Sequence, residues 1–184
     1  MAPFCKTGGL ADVMGALPPA LASMGHETHV ILPGHAVIDR SAYGFREQCA
    51  QFQVPVGPVT KPVTITSAEW RGTHVHLIEN GEYFDRPALY GDERGDYYDN
   101  GPRFVCYCRG VLEAARCLGI KPDVISAHDW QAGLVPAYLK TVYINDLQSN
   151  ERKIVHAIIS REPGVNSRSI GRDSGRYIIV TKEN

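Results

Sequence analysis

Lys6-Thr7-Gly8-Gly9, close to the amino terminus, is the stretch whose residue types and spacing could do chemistry. Two adjacent glycines let a backbone approach a ligand closely, and the apolar-periodic segment that follows makes the turn feed unpaired N–H groups into a helix start. Such a start attracts anions, and the Lys6 ammonium beside it suits a phosphate or diphosphate better than a neutral ligand. The spacing is neither GxxxxGK[ST] nor GxGxxG, and Gly-Gly before a helix also serves as a plain turn, so spacing alone leaves both readings open. His128 is the second candidate. It follows Val124-Ile125-Ser126-Ala127, expected as a buried strand, and the carboxyl ends of parallel strands are where open α/β sheets hold ligands. A helix-capping or core histidine is the alternative there. His74 and His76 alternate along one strand face and could bind a metal, but a pair without a nearby carboxylate or thiolate reads as a polar strand face.

The elements that must position these groups follow from periodicity. Leu10 to Met24 reads as helical but is interrupted by Pro18-Pro19, which predicts a short helix to about Ala16 and a second one from the prolines, ended by Gly25-His26. Glu27 to Leu32 has the apolar, β-branched character of a buried parallel strand. Gln51 to Val56, Val63 to Thr66 and Thr73 to Ile78 alternate, and Pro55 and the Arg71-Gly72 turn mark them as edge strands and hairpins, an antiparallel extension. Asn80 to Asn100 is an ordered aromatic, Gly/Asp-rich loop: either packed under its own tyrosines or a platform on which sugar rings stack. Asn100 or Gly101 caps a helix whose apolar face carries Phe104, Cys108, Val111, Leu112, Ala115 and Leu118 and which stops at Gly119. A further helix opens at His128-Asp129-Trp130-Gln131, with Trp130, Leu134, Val135, Tyr138 and Leu139 on one side. Helix, turn and strand in this order predict a doubly wound α/β fold.

The 184 residues suit one domain by length. A charged content of 21% and a net charge of -1 argue against non-specific nucleic-acid or anionic-membrane partners and point to small molecules or neutral polymers. No apolar run approaches the ~20 residues of a membrane span and the start lacks signal-peptide character, so a cytoplasmic protein is expected. Five cysteines, Cys5, Cys49, Cys106, Cys108 and Cys117, form an odd set without CxxC spacing, which predicts reduced, buried thiols and neither a zinc site nor a disulfide framework. There is no internal repeat.

Lys6-Thr7-Gly8-Gly9-Leu10 with Ala11-Asp12-Val13-Met14-Gly15-Ala16-Leu17-Pro18 closely resembles the nucleotide-sugar loop of bacterial glycogen synthases and plant starch synthases. In that family the motif's lysine binds the phosphates of ADP-glucose, so the resemblance gives this role to Lys6. Tyr90-Gly91-Asp92 through Asp96-Tyr97 to Asp99-Asn100-Gly101-Pro102-Arg103-Phe104 is similar to the family's Tyr…Asp-Tyr-x-Asp-Asn-x-x-Arg-Phe segment at the active-site cleft. Ser126 to Pro136 resembles the His-Asp-Trp-His-x-Gly-Leu-x-Pro motif, whose first histidine sits against the transferred glucose; that is His128, and the motif's second histidine is Gln131 here.

The three motifs span most of residues 2–143. The resemblance implies a Rossmann-like doubly wound parallel sheet with an antiparallel hairpin extension, the N-terminal half of a GT-B glycosyltransferase. Its activity is transfer of glucose from ADP-glucose to the non-reducing end of an α-1,4-glucan such as glycogen or starch, with retention. Catalysis then falls on His128, Tyr97 and Asp99, and substrate binding on Lys6, Gly8, Gly9, Asp12, Asn100 and Arg103. No metal or cofactor is required if Lys6 and helix dipoles balance the diphosphate. The family's first strand and C-terminal domain are expected to be missing, so the chain alone is expected to be inactive. A non-catalytic α-glucan-binding module or truncated product is the alternative. Residues 1–143 are expected to form the synthase domain and 144–184 a divergent, loosely packed tail. In that tail Ile154 to Ile159 and Tyr177 to Val180 could be strands, with Arg161 to Arg176 a mobile Gly/Ser/Arg-rich loop between them.

Overall fold

A computed structural model describes residues 1–139, 141–144, 152–153, 156–157, 159–160, 165–170 and 177–182. Its elements in chain order begin with α1 (Gly9–Ser23), β1 (His29–Pro33), β2 (Arg46–Val56), β3 (Val59–Trp70), β4 (Thr73–Glu79) and the single turn α2 (Gly81–Phe84). After these come the two-residue strands β5 (Gly91–Asp92) and β6 (Gly95–Asp96), the long α3 (Asn100–Cys117), a 3-10 turn at Trp130–Ala132 and the short α4 (Val135–Leu139). Strands β7 (Thr141–Ile144), β8 (Val165–Ile170) and β9 (Tyr177–Lys182) close the list.

The main sheet has the order β1-β4-β3-β2. β4 runs parallel to β1 and antiparallel to β3, and β3 is antiparallel to β2. The expected hairpin extension is therefore present, with one change: its last strand, β4, is also the interior strand that joins the extension to the parallel part. Burial on both faces fits that position, since Val75, Leu77 and Ile78 are all fully buried. Tight turns set the registers. Arg71 and Gly72 both adopt positive φ, at 51° and 74°, between the paired residues Trp70 and Thr73, which matches the twist of a two-residue hairpin.

Two apolar clusters sandwich the sheet. On one face α3 contributes Phe104, Cys106, Tyr107, Cys108 and Ala114 to a core shared with Val54, Val63, Ile65 and Ile78. Gly110 permits this approach: a Cβ there would stand 2.8 Å from Ile78 Cγ2. On the other face Met1, Phe4, Val30, Ile38, Val75 and Leu77 pack together, with Phe4 edge-on to Tyr43, Phe45 and Trp70. At roughly 25 cal/mol per Å² of apolar surface, these side chains are the main source of stability.

Several expectations are corrected. α1 passes through Pro18 and Pro19 without a break. The two rings remove only the N–H donors to Met14 and Gly15, and their fixed φ is itself helical. Asp99, one residue earlier than expected, is the N-cap of α3. Val124 to Ala127 forms no strand; Val124 is 82% exposed and no described strand pairs with the free edge of β1, so this short apolar run has nothing to bury it. The helix expected from His128 is split into the 3-10 turn and the five residues of α4. Cys49 and Cys117 form a disulfide that ties β2 to the end of α3, with Cα atoms 6.5 Å apart; Cys5, Cys106 and Cys108 are free thiols. Sequence spacing carries no trace of that pairing, because it spans 68 residues and is created by α3 lying across β2.

In the tail, β9 covers the expected strand at Tyr177 and lies between β7 and β8 in a separate antiparallel sheet. Val165 to Ile170, expected as mobile loop, is β8. His156, Ala157 and Ile159 are helical rather than extended, and the His156 ring lies 2.7 and 2.8 Å from the Ser167 and Ser169 hydroxyls. Ile154, Val155, Ile158 and residues 161–164 and 171–176 lie outside the described residues. No helix is long and apolar enough to cross a membrane among the described residues.

Candidate active site

Four segments meet where β1 and β4 end: the glycine loop before α1, the turn after β1, the loop from Asn80 to Asp99, and the His128-Asp129-Trp130 segment. Their meeting point is Tyr90. Its hydroxyl is close enough to the Thr7 side chain and to the Asp129 carboxylate for both to act on it electrostatically, and its ring lies 6.4 Å edge-on from His35 and 6.3 Å from Trp130. Burial is the main cause that raises the Tyr90 pKa. Trp130 in turn stands edge-on over Phe104 at 4.8 Å, which anchors the third motif to α3.

The glycine loop is open. Gly8 is the N-cap in extended conformation with no side-chain cap, and ideal Cβ positions at Gly8 and Gly9 meet nothing within 4 Å. Of the first-turn donors, the Ala11 N–H donates to the Gly8 carbonyl at 3.1 Å. Lys6 Nζ donates to Asp12 Oδ1 at 2.7 Å, with both side chains more than half exposed. An exposed pair of this kind is worth less than about 1 kcal/mol, so an incoming anion can displace the Asp12 carboxylate from Lys6 at small cost.

The aromatic loop is held by charge. Asp99 accepts two hydrogen bonds from Arg86, at 2.8 and 2.6 Å, and this bidentate pairing lowers its pKa. Arg103 is fully buried. Its Nε donates to the Tyr83 carbonyl at 2.7 Å, Nη1 to Asn100 Oδ1 at 2.6 Å and Nη2 to the Leu89 carbonyl at 3.1 Å. Asn100 Nδ2 donates to the Tyr90 carbonyl at 2.8 Å. The Tyr97 ring lies between two guanidinium groups, 4.8 Å from that of Arg86 and 5.0 Å from that of Arg103, and its buried hydroxyl has no hydrogen-bond partner among the described residues. Arg103 and Asn100 thus fix the backbone that carries Tyr90, while Tyr97 and Asp99 sit in the ionic part of the loop.

His128 is half-buried, with Nε2 2.9 Å from the Ser126 hydroxyl. The next residue is unusual: Asp129 has φ 63° and ψ 175°, a conformation that non-glycine residues rarely adopt, and its carboxylate accepts from the Trp130 N–H at 2.7 Å. Strain of this type, on the order of 1–3 kcal/mol, concentrates at functional segments. Gln131, which replaces the second motif histidine, contributes its carbonyl to the Cys108 thiol at 3.0 Å.

His35 was not found by sequence reasoning. The signal available was its position two residues beyond Pro33, the last residue of β1, at a strand's carboxyl end. It is 3% exposed, packs edge-on to Phe84 at 5.7 Å, and its Nδ1 has no hydrogen-bond partner among the described residues. Burial above all, then the positive charges of Arg103, the N-terminus and Arg40, push its pKa down to about 4. A group whose folded pKa lies below its unfolded value near 6.5 takes up its proton more readily when unfolded, so stability is complete above that value and falls as pH drops towards 4. Wild type should lose about 2 kcal/mol more than His35→Gln between about pH 7 and about pH 5. Urea midpoints at the two pH values check this; parallel pH profiles would refute it.

A groove of about 520 Å³ lined by Gly34, Arg40, Thr64, Glu79, Asn80 and Asp85 opens at the same end of the sheet, and none of Lys6, Tyr90 or His128 lines it.

A Rossmann-like sheet with a glycine loop, an aromatic loop and a strained histidine-bearing segment at one end defines the N-terminal half of a GT-B fold. Residues 1–162 match the family described as the starch synthase catalytic domain. The glycogen synthase of Elusimicrobium minutum is 46% identical over 145 residues, covering 78% of this chain and 30% of that protein. The glycogen synthase of Geobacillus thermodenitrificans is 37% identical over 184 residues, covering 97% of this chain and 37% of that protein. The catalytic domain of starch synthase IV from Arabidopsis thaliana, solved bound to ADP and acarbose, superposes with a TM-score of 0.66 at 32% identity, over 76% of this chain and 28% of that one. The chain belongs to the glycogen and starch synthase family of glycosyltransferases, and spans about a third of the length of the curated relatives it matches.

Proposed function

We propose that this chain forms the N-terminal side of a site that transfers glucose from ADP-glucose to the non-reducing end of an α-1,4-glucan with retention of configuration. The observation that carries the reading is the convergence on Tyr90 of Thr7, from the glycine loop, with Asp129 and Trp130 of the histidine segment. Groups drawn from both ends of a nucleotide sugar are what glucosyl transfer needs: stabilised charge on the departing diphosphate and a fixed glucosyl ring. The first task falls to Lys6, released from Asp12, and to the amides of Gly8 and Gly9 at the α1 N-terminus, with Asp12 left in the first turn of the helix. The second falls to His128, with Tyr97 and Asp99 at the glucose-facing loop and Asn100 and Arg103 holding that loop in place. The ADP and acarbose bound to the Arabidopsis protein support both a nucleotide and a glucan-like partner.

Residues 1–143 carry this function, and residues 144–184 are not needed for it. Calorimetric titration of ADP-glucose should show Lys6→Ala weakened by about 1.5–3 kcal/mol, the worth of one charge-assisted contact. A chain shortened to residues 1–143 should keep the wild-type affinity. Equal affinities for wild type and Lys6→Ala would remove the glycine loop from the donor site.

A further inference from the structure

The opposite end of the sheet holds a second cluster that glucosyl transfer does not use. In the parallel register His29 stands opposite His74, and Ile31 opposite His76, so three imidazoles share one face at the amino ends of β1 and β4. His29 stacks on His74 with centroids 4.8 Å apart and lies nearly parallel to His76 at 5.3 Å. Carboxylates flank the stack: Glu27 Oε1 is 3.0 Å from His29 Nε2, and Glu69 Oε1 is 3.6 Å from His74 Nδ1. The strand pair that sequence reading left without a carboxylate has two, plus a third histidine, brought in by pairing between residues 45 positions apart.

We propose that Glu27, His29 and His74 form a binding site for a divalent transition-metal ion, with Zn²⁺ the best match. One ligand atom from each lies within 4.8 Å of the other two. Two imidazoles and a carboxylate are a three-ligand zinc set that leaves a fourth position for water, and imidazole favours zinc, copper and nickel over calcium and magnesium. Tetrahedral zinc with bonds of about 2.0–2.1 Å spaces its ligand atoms about 3.4 Å apart. Glu27 and His29 already stand close to that spacing, and the remaining closure falls on His74, whose side chain is 41% exposed and can turn about its χ angles.

The groups behind the ligands fit the same reading. His29 Nδ1 is 3.0 Å from His76 Nε2, and His76 Nδ1 is 2.6 Å from the Ser67 hydroxyl. With an ion on His29 Nε2, His29 Nδ1–H donates to His76 Nε2 and His76 Nδ1–H donates to Ser67 Oγ. Without one, the chain runs the other way: the Ser67 hydroxyl donates to His76, His76 Nε2–H donates to His29 Nδ1, and His29 Nε2–H donates to Glu27. Both states give every ring nitrogen of His29 and His76 a partner, and they interconvert by reversing two tautomers with no net loss or gain of protons. A hydrogen-bonded partner behind a ligating imidazole is the arrangement that orients metal-binding histidines. An ion here would clamp the segment leading into β1 to the start of β4 and stabilise the folded chain by linkage.

The test uses the 184-residue chain without a polyhistidine tag, stripped of metal with chelator, and titrated with Zn²⁺ by calorimetry while its melting temperature is followed. One Zn²⁺ per chain and a melting temperature that climbs with Zn²⁺ concentration are expected. Co²⁺ in its place should give the visible absorption of a tetrahedral nitrogen and oxygen site without a thiolate charge-transfer band. Glu27→Gln and His74→Ala alter exposed side chains and should keep the fold, yet each should weaken binding by at least about a hundredfold, since even outer partners are worth ten- to a hundredfold. Absence of one-to-one uptake, unchanged affinity in both variants, or a thiolate band that disappears in Cys5→Ser would each overturn the proposal.

Discussion

Replacing Arg103 with alanine will lower the unfolding free energy by about 3–5 kcal/mol, the combined cost of buried acceptors left unpaired and of the cavity left behind. The guanidinium is fully buried and uses Nε, Nη1 and Nη2 on three acceptors, two of them main-chain carbonyls of Tyr83 and Leu89. Truncation leaves those carbonyls without a donor inside the protein, at about 1–3 kcal/mol for each that water does not reach. It also opens a cavity among Phe84, Tyr97 and Phe104, whose rings lie 5.8, 5.0 and 5.4 Å from the guanidinium carbon. Lysine will not restore the loss, because a single ammonium cannot span three acceptors set by a planar fork. Urea unfolding of Arg103→Ala and Arg103→Lys measures both effects. A change of less than about 1 kcal/mol in either variant would contradict the structural role given to this side chain.

Much of the frame was legible because local patterns determine it. The glycine loop feeding α1, the alternating strands β2 to β4, the Arg71-Gly72 hairpin and the stop of α3 at Gly119 each depend on a few adjacent residues. What escaped depends on residues distant in sequence. The disulfide, the cluster around His29 and the buried position of His35 arise only when α3, β1 and β4 are brought together. Pro18 and Pro19 misled in the opposite sense: their local breaking signal is overridden because α1 is held along its length, with Ala11 and Pro18 buried.

The candidate site divides along the same line. Its motif residues could be named from sequence, but the division of labour among them could not. Arg103 and Asn100 spend their hydrogen bonds on the carbonyls of Tyr83, Leu89 and Tyr90, so they set the shape of the loop. Tyr90, named in sequence only as part of a motif, is the contact that joins the other segments. The strain at Asp129 follows from tertiary placement and has no sequence signature beyond the motif itself.

Glucosyl transfer is tested most directly in a chimera in which residues 1–143 replace the matching part of the Elusimicrobium minutum glycogen synthase, to which this chain is 46% identical over 145 residues. Incorporation of labelled glucose from ADP-glucose into glycogen is measured for the chimera, for its His128→Ala variant and for the 184-residue chain alone. The 184-residue chain should give no turnover, because positioning and charge stabilisation need groups on both sides of the reacting bond. The chimera should be active, and His128→Ala should lower its kcat by about 10²–10³, the range for removing one preorganised polar group from a transition-state site. Undiminished turnover in the His128→Ala chimera, or turnover by the chain alone, would contradict the account.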